Sequence, residues 1–147
     1  GACAISSKIE DSLKVEFAAH GIALEGSQRA RVIAIAEKAM TWCRRETSVV
    51  MAYSATSEGS QSYRMYLASA RAKYLVELLK ISGIPEREIV TYSVTGDAME
   101  SSISPVSRVA EDPSTGHSAD LEFRGVPATV RSCPERENDS GFPSNSK

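Results

Sequence analysis

From Gly59 to Ile84 the chain reads GSQSYRMYLASARAKYLVELLKISGI, with apolar positions spaced for a helix. Wound at about 100° per residue, Tyr63, Leu67, Ala70, Tyr74, Leu75, Leu78 and Leu79 form one apolar stripe. Lys73, Glu77 and Lys80 recur at i, i+4 and i+7 on the other side. The run Ser82-Gly83-Ile84-Pro85 predicts the stop, because Gly accepts a left-handed cap and Pro cannot continue a helix. A second helix is expected from Gln28 to Arg45. Its rows Val32-Ile35-Ala39-Trp42 and Ile33-Ala36-Met40-Cys43 make a broad apolar face, with Ser27 as N-cap and Arg44 and Arg45 at the C-terminal end of the dipole. Trp42 stands in register with those rows, so it reads as a core anchor rather than a platform for a sugar.

The strands alternate with period two. Leu13 to Phe17 alternates strictly, as a half-buried strand does, and Ser48 to Tyr53 holds the continuous run Val49-Val50-Met51 of a more central one. Glu88 to Val94 has β-branched alternation, and Ala119 to Phe123 closes the series. Residues 96–117 are polar and Pro-interrupted, and are expected as a long surface loop. The order β-α-β-α-β-β predicts an α+β two-layer sandwich, two helices packed on a mixed four-stranded sheet. Residues 1–12 read as a tether and 13–124 as the domain. The segment 125–147, rich in Pro, Ser, Asn and charge, reads as a disordered tail.

Composition narrows function mostly by exclusion. At 147 residues, 41% hydrophobic and 24% charged, the chain is long enough for one core. A net charge of −2 supplies no basic field for nucleic acid. No apolar run approaches the roughly 20 residues of a membrane-spanning helix. His20, His117 and Asp120 accompany no nucleophile-elbow motif, so no catalysis is expected. Neither a metal site nor a cofactor is expected, since no Cys or His pair has ligand spacing and Gly59 stands without a Gly-rich phosphate loop.

Arg71 breaks the apolar stripe. It falls between the rows of Leu67, Leu75 and Leu78, with Arg64 about two turns earlier. An unpaired guanidinium cannot stay there cheaply, so it must snorkel out past its neighbours or find an anion. If it finds an anion, either Arg71 pairs with a carboxylate of the same chain, Glu58 and Asp120 being the candidates, or it holds a ligand's carboxylate through two parallel hydrogen bonds.

The same block carries a family resemblance. The pattern GSxxYNxxLSxxRA lies without gaps over GSQSYRMYLASARA, with Gly59, Ser60, Tyr63, Leu67, Arg71 and Ala72 matching. Arg64 stands where the pattern has Asn, and Ala68 where it has Ser. In these residues the chain resembles the OmpA-like domain, the periplasmic module of outer-membrane protein A, the peptidoglycan-associated lipoprotein and flagellar stator proteins. The resemblance spans roughly 13–124 and implies the same two-layer fold.

It also implies a ligand. In that family a peptidoglycan stem peptide is held by its diaminopimelate: an Asp in the loop after the second strand takes the amine, and the helix Arg takes a carboxylate. Arg71 matches the Arg, but Thr56 falls on the acidic position. The loop Thr56-Ser57-Glu58-Gly59 resembles the Ser-Pro-Glu-Gly version found in some members, and Glu58 is a substitute if the loop folds inward. The family's closing Asn-Arg-Arg falls on Ser118-Ala119-Asp120, which reverses the charge. The implied ligand-binding set is therefore Arg71, Thr56, Ser57, Glu58 and Arg64.

The cysteines add to the envelope reading. Gly1-Ala2-Cys3 matches the small residues that precede a lipidated Cys, so Cys3 is expected to carry an outer-membrane lipid anchor. Cys43 and Cys133 then remain, either as a disulfide formed in an oxidising periplasm or as unrelated thiols. Two functions follow. One is a periplasmic lipoprotein module that binds peptidoglycan non-covalently. The other is a degenerate OmpA-like scaffold that no longer binds it and contacts other envelope proteins in a secretion or motility assembly.

Overall fold

The computed structural model describes residues 8–96, 98–103, 116–128 and 133. Cys3 and most of the expected tether, much of the long loop and nearly all of the expected tail lie outside the described residues. The elements are β1 (Ile9–Glu16), α1 (Gly26–Met40), β2 (Arg44–Arg45), β3 (Ser48–Tyr53), α2 (Gln61–Ile81), β4 (Ile89–Val94), β5 (Met99–Ser101) and β6 (Ser118–Val126). The sheet runs β1-β6-β3-β4-β5, with β2 added beside β6. Among the described residues only β3 and β4 pair in parallel, and the other pairs are antiparallel.

The fold is α+β, two helices on a mixed open sheet, but among the described residues the sheet has six strands where four were expected. The additions are β2 and β5, of two and three residues, too short to show alternation. β5 lies inside the expected surface loop and β2 inside the expected helix. Accordingly α1 stops at Met40, and Arg45 pairs with Glu88 at 2.9 Å instead of sitting on a helix end. Glu25, not Ser27, is the N-cap of α1, and it makes no side-chain cap bond.

β1 begins at Ile9, inside the expected tether, because Asp11 masks the apolar alternation. Asp11 faces the helices and is ion-paired there with Lys38 of α1 at 3.1 Å. β6 runs on to Val126, past the expected start of the tail. At Gly125 an added Cβ would lie 2.6 Å from the Trp42 ring, so the indole closes over a backbone that only Gly permits. Beyond it, Cys133 is joined to Cys43 in a disulfide that closes a 90-residue separation.

The core lies between the sheet and the two helices. Val15, Val50, Ala52, Leu121 and Phe123 meet Val32, Ala36, Leu75, Leu78 and Leu79. The buried face of α2 is rotated from the expected stripe: Arg64, Ala68 and Ala72 turn inward, while Tyr63 is 39% exposed. Periodicity finds the helix but weighs an aromatic ring above the stem of an Arg, and here the Arg residues have internal partners. The helix ends as its sequence predicts. Gly83 adopts φ of 111°, and the Ile84 N–H returns to the Leu79 carbonyl at 3.0 Å, which sets Ile84 into the core.

Candidate functional site

α2 carries Arg71 into the interior at the ends of β1 and β3. The side chain is 0% exposed. Its Nη1 donates to Glu58 Oε1 at 2.9 Å and its Nη2 to Glu58 Oε2 at 2.7 Å, a bidentate pair. The remaining N–H groups go to backbone carbonyls. Nε donates to Gly21 at 2.7 Å, Nη1 also to Tyr53 at 3.0 Å, and Nη2 also to Ala18 at 3.4 Å. A guanidinium has five N–H groups, and each of them has an acceptor within this chain. The Phe17 ring lies 5.4 Å from the guanidinium carbon and adds a cation–π contact.

Glu58 is equally committed. It closes a 3-10 turn, Thr56–Glu58, and is 3% exposed. Oε1 accepts from the Ser54 hydroxyl at 3.0 Å and the Ala55 N–H at 2.9 Å, and Oε2 accepts from the His20 N–H at 2.7 Å. His20 itself adopts a left-handed φ of 62°, an uncommon conformation for a non-glycine residue. Gly59, with φ of 143°, then redirects the chain into α2; a Cβ there would lie 2.8 Å from the Tyr63 ring. The Ser60 hydroxyl caps α2 through the Tyr63 N–H at 3.3 Å.

Burial alone would push the Glu58 carboxyl up. The Arg71 guanidinium, the amides of His20 and Ala55 and the Ser54 hydroxyl outweigh it and hold the group well below its ordinary 4.5. A carboxyl depressed on folding contributes stability that is full above the unfolded value and is lost as pH falls toward the folded one. The melting temperature should therefore drop as pH is lowered from about 4.5, and Glu58→Gln should flatten that part of the profile. Melting curves of both proteins between neutral pH and about 3 test this; parallel profiles would contradict it.

The expected site residues are thus partly brought together, and in a different sense. Arg71 and Glu58 meet, but each is the other's partner, so the guanidinium offers no uncommitted N–H to a ligand carboxylate. Thr56 and Ser57 are exposed on the outside of the turn. Arg64 is buried and donates from Nε to the Gly59 carbonyl at 3.0 Å, which braces the same turn. Asp120, the other candidate partner for Arg71, lies on the opposite face of the sheet. There it is 3.5 Å from Lys14 Nζ and accepts from the Tyr53 hydroxyl at 3.1 Å. Sequence reasoning missed the carbonyls of Ala18, Gly21 and Tyr53 and the amide of His20, since backbone groups carry no residue signature.

No protein-family model and no curated protein matches the sequence. Among solved structures, the chain is similar to the OmpA-like domain of FopA1 from Francisella tularensis subsp. tularensis SCHU S4. The TM-score is 0.58 and the identity 12%, over 84% of this chain and 78% of that one. At that identity the likeness is one of fold, and the fold is OmpA-like.

Proposed function

We propose that this OmpA-like chain is a non-catalytic scaffold of the cell envelope whose ligands are protein partners in a secretion or motility assembly, not peptidoglycan. The observation that carries the reading is the closed Arg71–Glu58 pair. Where the sequence resemblance implies a diaminopimelate carboxylate on the helix Arg, Glu58 supplies a carboxylate from the same chain. The amine half of the implied site is weakened as well. Thr56 offers a hydroxyl where an acid would offer a charge, a loss on the order of 1.5–3 kcal/mol, roughly ten- to a hundredfold in affinity. A periplasmic location fits the Cys43–Cys133 disulfide, and a lipid on Cys3 would tether the domain to the outer membrane.

The test is sedimentation with purified sacculi at low salt, combined with titration of a diaminopimelate-containing stem peptide. The wild-type chain is expected to stay in the supernatant and to give no saturable titration. Crosslinking in the native cell should instead recover a protein partner. Wild-type protein that pellets with sacculi and is displaced by stem peptide would overturn the scaffold reading in favour of peptidoglycan docking.

A further inference from the structure

We infer that the outer edge of β1 is a homodimer interface, along which two copies pair antiparallel about Ser12 and join their sheets into one. Among the described residues β1 ends the sheet on its side. Its odd-numbered residues exchange backbone hydrogen bonds with β6; the pattern continues where the Phe17 N–H donates to the His117 carbonyl at 2.8 Å. Backbone polarity alternates along a strand, so Glu10, Ser12, Lys14 and Glu16 turn their N–H and C=O groups outward. The Glu16 N–H confirms this direction by donating to the Gln28 side chain at 3.1 Å, which leaves Glu10, Ser12 and Lys14 as the open edge.

Charge selects both the occupant and the register. Two antiparallel copies can meet only with even-numbered residues opposite even-numbered ones, since those carry the outward backbone groups. Centred on Ser12, the sequence Lys8-x-Glu10-x-Ser12-x-Lys14-x-Glu16 places Glu10 opposite Lys14 and Lys8 opposite Glu16, each twice by symmetry. Shifting the centre to residue 11 opposes Lys8 with Lys14. Shifting it to residue 13 opposes Glu10 with Glu16. Centres at Glu10 or Lys14 set each of those charges against itself. Of the registers centred on residues 10 to 14, which keep the open edge paired, only that on Ser12 opposes unlike charges throughout, and like charges directly opposite disfavour pairing. These side chains stand on the face of the sheet away from the helices. They are exposed even while they pair within one chain: Lys14 with Asp120 at 3.5 Å, Glu10 with Arg124 at 3.0 Å, and Lys8 with Glu46 at 2.5 Å. A charged edge of this kind resists indiscriminate strand addition and admits the complementary strand. That strand is its own copy.

The experiment is sedimentation equilibrium on the full chain, with Ser12→Pro, Glu10→Lys and Lys14→Glu variants whose folding is checked by thermal melting. The wild type should approach twice its 15.8 kDa at high concentration, less so as salt is raised. Ser12→Pro removes the central outward N–H, which β6 does not use, and should leave a folded monomer. Each charge reversal alone should weaken association by about ten- to a hundredfold. Mixing Glu10→Lys with Lys14→Glu restores unlike pairs and should give a heterodimer; the double variant should dimerise with itself. A wild type that stays monomeric at millimolar concentration overturns the inference, as does a Ser12→Pro dimer or a mixture of reversals that does not associate.

Discussion

Arg71→Leu is expected to destabilise the fold by about 3–5 kcal/mol, the usual cost of removing one member of a buried ion pair. Apolar patterning taken alone points the other way, since Leu would complete the stripe of α2. The contacts decide between them. With the guanidinium gone, Glu58 stays 3% exposed and keeps only the Ser54, Ala55 and His20 donors, while the Gly21 and Tyr53 carbonyls each lose a donor and the Ala18 carbonyl keeps only the Gly21 N–H. For a chain of this length the melting temperature should fall by roughly 10 °C. Adding Glu58→Leu should recover only part of the loss, because the orphaned carbonyls remain, so the two substitutions should be strongly non-additive in a double-mutant cycle. Thermal melts of the wild type, both single variants and the double variant make the measurement. An Arg71→Leu protein as stable as the wild type would show that the arginine is not structural and would reopen it as a ligand group.

Reduction of the Cys43–Cys133 bridge should have an effect of similar size. Joining residues 90 apart restricts the unfolded chain by about 4–5 kcal/mol in the loop-entropy description. In the folded state Cys43 is buried and its N–H donates to the Val126 carbonyl at 2.9 Å, at the end of β6. Melting with and without a thiol reductant should show a large drop. A Cys43→Ala/Cys133→Ala variant should melt near the reduced protein and no longer respond to reductant. Unchanged melting of the wild type under reduction would remove the bridge from the account of stability and weaken the case for an oxidising compartment.

Local pattern determined the two helices, the four longer strands and the type of fold. A strand that alternates over five or more residues, or a helix that repeats over several turns, states its own period. The terminator Ser82-Gly83-Ile84-Pro85 was legible for the same reason, as was the block around Arg71 that carries the OmpA-like resemblance: both are contiguous. Elements that alternate for only two or three residues, β2 and β5, were not legible. Nor was the first half of β1, where Asp11 faces the helices and is neutralised by Lys38. Cys43 and Cys133 were visible as residues, but their pairing needed two Cα atoms brought to 5.1 Å across 90 residues of sequence.

The site divides along the same line. That Arg71 must snorkel out or find an anion followed from its place in an apolar stripe, and Glu58 was one of two candidate partners within the chain. Tertiary structure alone chose Glu58 over Asp120, because the sheet lies between Asp120 and the helix. It also filled the remaining donors from backbone 18, 50 and 53 residues away, at Tyr53, Gly21 and Ala18. Any residue has a carbonyl, so nothing in the sequence marks those acceptors. Whether a buried charge is a clamp or a strut depends on how many of its hydrogen bonds the fold has already used, and that number exists only once the chain has folded.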